Sequence, residues 1–145
     1  SKPMNELKRN GEGYIDPTAY QALRKIDIEN RPSGGYRPLV YICSPFAGDV
    51  EHNVQCARAY SLFAVEQGML PITPHLFFPQ FMDDNDKDSR ALGLYMGHIL
   101  LTKCRELWYF GERISDGMQG EISKARYRGI IVRHFTNDCK EVSSL

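Results

Sequence analysis

The sequence lacks most of the features that announce a cofactor, a metal or a membrane. Its four cysteines, Cys43, Cys56, Cys104 and Cys139, stand far apart with no Cys-x-x-Cys and no Cys/His cluster, which argues against both a zinc site and a redox pair. No metal is expected. Isolated free thiols fit a reducing compartment, so a cytoplasmic protein is expected. No apolar run approaches the ~20 residues of a bilayer crossing, and no secretory signal pattern is present, so no membrane partner is expected. Charge of either sign is not in excess: 18 basic and 18 acidic residues cancel, leaving no footprint for nucleic acid. Also missing are Gly-x-Gly-x-x-Gly and the phosphate-loop pattern Gly-x-x-x-x-Gly-Lys-Ser/Thr, so no dinucleotide or triphosphate cofactor is expected.

What is present is an ordinary globular composition over 145 residues, 42% hydrophobic and 25% charged, a length that buries a core without disulfides. The chain divides in two by pattern. Residues 1–35 are polar, with one short helix expected over "DPTAYQALRKI", where Asp16 is the N-cap and Pro17 the first helical residue. The stretch "NRPSGGYRP" then reads as a linker. Residues 1–35 form an N-terminal helical appendage and linker, and residues 36–145 a single domain.

From Leu39 onward, short apolar runs alternate with longer helical ones. "LVYIC", "MLPIT", "ELWYF" and "IIVRHF" read as strands, with helices through "EHNVQCARAYSLFAVEQ", "RALGLYMGHILLTKC" and "SDGMQGEISKARYR". Gly68 and Gly129 stop the first and last of these helices. Alternation of this kind predicts a small doubly wound, Rossmann- or flavodoxin-like parallel sheet of four to five strands with helices on both faces. The last ten residues read as a loose tail or an edge element.

Ligands of such sheets bind beyond the carboxyl ends of the strands, where strand order reverses. Three loops qualify: "SPFAGD", "TPHLFF" and "FGERISDGMQGE". The first offers Ser44, Pro45, the flat ring of Phe46 and then Asp49 and Asn53, a set suited to a sugar or a nucleobase. Asp49 reads equally well as a helix cap. His75 in the second loop could hold a phosphate or hydroxyl, or move a proton near neutral pH, or be a satisfied structural histidine. The aromatics Phe77, Phe78 and Phe81 read as core or lid. The acidic run Asp83, Asp84, Asn85, Asp86 and Asp88 lacks the glycine and the terminal glutamate of a calcium loop, so a solvated, mobile loop is expected.

The third loop, "SDGMQGE", puts Gly117 and Gly120 in front of Glu121. A carboxylate in the first turn of a helix would be kept ionised by the unpaired amides there, which suits a nucleophile. The two glycines would clear a slot around it. The alternative is a surface glutamate pairing along its own helix.

These motifs, "VYICSPF" and "SDGMQGE" in that order on an alternating pattern, resemble the nucleoside 2-deoxyribosyltransferase superfamily and its nucleotide N-glycosidase relatives, over residues 39–133. The resemblance implies a glutamate that attacks the anomeric carbon, a role falling on Glu121. Tyr41 stands near the family's first-strand tyrosine, although a buried strand tyrosine explains it as well. It also implies a nucleoside or nucleotide as the small-molecule partner and a homo-oligomer in which neighbouring subunits help close the site. One position departs: Ser115 stands where the family usually has aspartate, with Asp116 one place later, so the acid that protonates the leaving base is expected at Asp116 or is missing. Ser44, Phe46, Ser115, Gly117 and Met118 would shape the pocket, with Asp49, Asn53 and His75 on sugar or phosphate oxygens. The alternatives are a non-catalytic nucleotide-binding or nucleotide-sensing module using the same cleft, and a purely structural protein.

Overall fold

The computed structural model describes residues 18, 19, 21, 22 and 35–143. The chain falls into two units divided between Tyr36 and Arg37. In the first, Thr18, Ala19, Gln21 and Ala22 have helical backbone; the rest of the helix expected over residues 16–26 lies outside the described residues, as does most of the expected linker. The second unit carries the elements on which the cleft is built.

These are β1 (Leu39–Cys43), α1 (Val50–Glu66), β2 (Leu70–Ile72), α2 (Pro74–Phe77), a 3-10 turn (Phe78–Gln80), α3 (Lys87–Thr102), β3 (Glu106–Phe110), α4 (Asp116–Tyr127) and β4 (Ile131–Phe135). The strands are the apolar runs of the sequence. Gly68 and Gly129, with φ of +85° and +72°, follow α1 and α4 and let the chain turn back through the left-handed region.

All strands run parallel in the order β2-β1-β3-β4. Tyr41 pairs with Ile72 on one side and Leu107 on the other. Since neighbouring residues of a strand point to opposite faces, β1 serves two cores. Val40 and Ile42 meet Tyr60 and Ala64 of α1, with Trp108, Phe110 and Phe135 from β3 and β4. Tyr41 and Cys43 meet Leu101 of α3 and Met118, Ile122 and Ala125 of α4. One helix therefore covers one face and two cover the other, as a doubly wound sheet requires. The chain leaves β1 in one direction and returns across it to β3, so the reversal of strand order lies between β1 and β3.

Two local expectations change. "PHLFFPQ" folds as one turn of α-helix followed by a 3-10 turn, a length below what helical periodicity can reveal. The acidic stretch is shorter than expected because Asp86 caps α3, accepting from the Ser89 N–H at 2.9 Å, and Asp88 already sits in the first turn. The described part of the tail is an edge element: Glu141 bridges to Phe135 and takes two hydrogen bonds from Arg133, at 2.8 and 2.7 Å. No described helix is long and apolar enough to cross a membrane.

Candidate active site

Glu121 is placed by the way α4 begins. Ser115 is the N-cap, its Oγ accepting from the Met118 N–H at 3.2 Å, so the first helical residue is Asp116. Glu121 is then in the second turn, past the unpaired amides, and the carboxylate beside the helix start is Asp116. This corrects the expectation that the helix end keeps Glu121 ionised: that influence fades within the first turn. Glu121 points instead toward β1. Burial pushes its pKa up, while hydrogen bonds from Tyr41 and Cys43 pull it back down.

Both donors come from the strand at the switch point. The Tyr41 hydroxyl donates to Glu121 Oε2, and the Cys43 thiol donates to Oε1 at 3.5 Å. Burial, then the charge of Glu121, holds both groups well above their ordinary pKa values, so they remain donors at neutral pH. Above Tyr41 passes Gly97 of α3, where an added Cβ would come to 3.4 Å from the hydroxyl. A side chain at position 97 would therefore stand in contact with the hydroxyl.

A second polar pair forms one wall. Ser44 is buried just beyond β1, and its Oγ lies 2.8 Å from His75 Nε2. The ring of Phe46 meets His75 edge-on, with centroids 6.4 Å apart. Burial drives the His75 pKa down to about 4. The imidazole is therefore held neutral at pH 7, which favours a hydrogen-bonding role for His75 over that of a cation for a phosphate. What it offers is a fixed hydrogen-bond partner for Ser44.

Tyr41, Ser44, Phe46 and His75 line one cavity of about 340 Å³, together with Ser115, Asp116, Gly117, Met118 and Glu121 from the far side. That volume falls within the range of small-molecule sites. Three expected residues are not part of the lining. Asp49 caps α1, accepting from the His52 N–H at 3.2 Å. Asn53 donates to the Phe46 and Ala47 carbonyls, both at 3.0 Å. Pro45 stands between Ser44 and Phe46, which do line the cavity. Asp49 and Asn53 hold the shape of the loop, their side chains satisfying local backbone groups. Gly120 is likewise off the cavity and its added Cβ would meet nothing, so of the two glycines only Gly117 opens the slot.

Sequence reading offered His75 of α2 and read Phe78 as core or lid, but missed the contribution of Met82, the acidic stretch and α3. Phe78 and Met82 form an apolar wall, Asp83 and Asp84 stand at the mouth, and Arg90 and Leu94 come from α3. The signal was available in the spacing of Arg90, Leu94 and Gly97, four and three residues apart on one helical face. Arg90 is the lining cation, whereas Arg113, nearer the motif in sequence, is exposed and outside the cavity. In sequence Cys43 reads as one of four isolated free thiols, since a cysteine in a strand carries no mark of its partner. All four cysteines are free, and among the described residues no three His, Cys, Asp or Glu side chains gather as a metal set.

The family described as "Domain of unknown function (DUF7768)" matches residues 38–135, which contain both donors, both switch-point loops and Glu121. No curated protein matches the sequence. Among solved structures, the chain is similar to the 2-deoxyribosyltransferase of the psychrotolerant bacterium Bacillus psychrosaccharolyticus. The TM-score is 0.56 at 16% identity, over 73% of this chain and 77% of that one. At that identity the likeness is one of fold, and it bears out the α/β architecture expected from the alternating pattern.

Proposed function

The chain belongs to the DUF7768 family, and from that premise we propose that it cleaves the N-glycosidic bond of a nucleoside or nucleotide, with Glu121 as nucleophile. The observation that carries this reading is the carboxylate of Glu121 on a cavity at the switch point, with one donor on each oxygen. A carboxylate so fixed has lost the freedom that would otherwise have to be frozen at the transition state. The fold shared with a 2-deoxyribosyltransferase supports the same chemistry.

In this reaction one oxygen of Glu121 attacks C1′ as the C1′–N bond breaks, and its electron pair leaves with the base. The product is a glycosyl ester on Glu121, which water or a second base resolves, as in retaining glycosidases. Asp116 lines the same cavity and is the carboxyl assigned to protonating the departing base. Phe46 and Phe78 supply apolar ring surface for the base, and the Ser44–His75 pair supplies a hydrogen-bonding edge for the sugar.

The activity is assigned to residues 36–145, with 1–35 an appendage to it. A cytoplasmic setting fits the four free thiols. The exposed row Leu92, Tyr95 and Ile99 on α3 fits a homo-oligomer, since solvated apolar rows mark contact surfaces.

The test is release of free base. Nucleosides and nucleoside monophosphates incubated with the protein should yield base above a Glu121→Ala control, and no release from any of them overturns the enzymatic reading. One observation favours a second reading, a nucleotide-binding module without turnover: position 115 holds a serine in place of an acid, and its hydroxyl is taken up as a helix cap. In that case a nucleotide raises the melting temperature and is recovered intact.

A further inference from the structure

Cys43 is fully buried on β1, and two acceptors lie within its reach. Glu121 Oε1 is at 3.5 Å and the Met118 carbonyl at 3.8 Å. A thiol has one proton to give. The nearer acceptor carries the charge, and charge strengthens a hydrogen bond roughly twofold over a neutral one. The other buried thiol, Cys104, just past α3, gives its proton to the Leu100 carbonyl at 3.4 Å, an ordinary bond within its own helix end. Cys43 differs in reaching across from the sheet to a carboxylate on α4.

We propose that Cys43 is a positioning residue for Glu121, its thiol fixing Oε1 while the Tyr41 hydroxyl fixes Oε2. This rests on the reading of Glu121 as nucleophile. Two donors from one strand, on two oxygens, set the plane of the carboxylate as one donor cannot, because a carboxylate held by a single oxygen still swings about its terminal torsion. A thiol is also the weaker of the two donors. It orients Oε1 while withdrawing less of the electron density an attacking oxygen needs than a hydroxyl would. When Glu121 takes up a proton, the attraction at Oε1 weakens and the thiol turns to the Met118 carbonyl.

The S–H stretching band of Cys43 tests this, read by infrared difference spectroscopy on the full chain and assigned by its loss in Cys43→Ala. In the wild type the band should sit at lower frequency at neutral pH and move to higher frequency on acidification, in step with the carboxyl band of Glu121. In Glu121→Ala it should sit at the higher frequency and ignore pH. In Cys43→Ala the carboxyl band of Glu121 should titrate at higher pH than in the wild type, since a donor to the charged form is gone, and the acid limb of any base release should move up with it. Should Cys43→Ala not fold, the difference between wild type and Glu121→Ala carries the same information. A Cys43 band identical in wild type and Glu121→Ala overturns the proposal. A wild type that releases no base but shows the coupled bands keeps the positioning and removes the catalysis, so the two failures are separable.

Discussion

The hydroxyl of Tyr41 on β1 donates to the carboxylate of Glu121 on α4, eighty residues later in the chain. This bond joins the strand at the switch point to the helix that follows the next strand over. It pulls the Glu121 pKa down, against the larger influence of burial. Burial is the largest influence on its pKa and raises it, so the folded state holds the proton more tightly than the unfolded chain. The stability Glu121 lends is complete below the ordinary value of 4.5 and is lost as pH rises through the raised folded value. In Glu121→Gln, which keeps an acceptor for Tyr41 and cannot ionise, that loss should disappear. Thermal melts from about pH 4 to 8 check it: the variant should overtake the wild type as pH rises, while melting curves that run parallel throughout would contradict the burial assigned to this carboxyl.

His75 has the opposite sign over an overlapping window. Its folded pKa, near 4, lies below the ordinary 6.5, so its contribution is complete above 6.5 and is lost as pH falls through the folded value. The shift corresponds to at most about 3 kcal/mol. His75→Gln should flatten the acid limb, where stability rises with pH, in equilibrium denaturation, whereas Glu121→Gln removes a fall in stability as pH rises. The opposite slopes let the two variants be told apart in one experiment.

Asp116 carries a prediction that depends on the leaving group. If it protonates the departing base, Asp116→Asn should slow release of an ordinary base by about 10²- to 10⁴-fold. The same variant should barely slow a nucleoside with a quaternised purine, such as 7-methylguanosine, whose base leaves without taking up a proton. Steady-state rates for the two substrates check this, and equal slowing of both removes Asp116 from the role.

The architecture was legible because it rests on strong, local signals. "LVYIC" and "ELWYF" are too short and too apolar to be anything but buried strands in an alternating chain, and Gly68 and Gly129 mark the helix ends. The site was legible only in outline. Glu121, Tyr41 and the Ser44 loop could be placed at the carboxyl edge of the sheet by topology alone. The depth of Glu121 in α4 was not, because Gly117 and Gly120 read as a turn ahead of the helix, whereas both lie inside it. Asp49 and Asn53 lie off the cavity lining, and a polar side chain at a loop looks the same in sequence whether it faces a ligand or its own backbone. The partnership of Cys43 with Glu121 spans 78 residues and leaves no trace in any local pattern.

The central claim is that Glu121 forms a covalent bond to the sugar, and trapping that bond tests it most directly. A nucleoside bearing 2-deoxy-2-fluoro-arabinose should load the enzyme and then turn over slowly, because the fluorine destabilises the positive charge that develops during hydrolysis. Intact-protein mass spectrometry after acid quench should show the mass of one fluorosugar, and peptide mapping should place it on Glu121. Base released with stoichiometric loading confined to that residue is the result the account predicts. Base released with no adduct at any time, or an adduct on another residue, would contradict it.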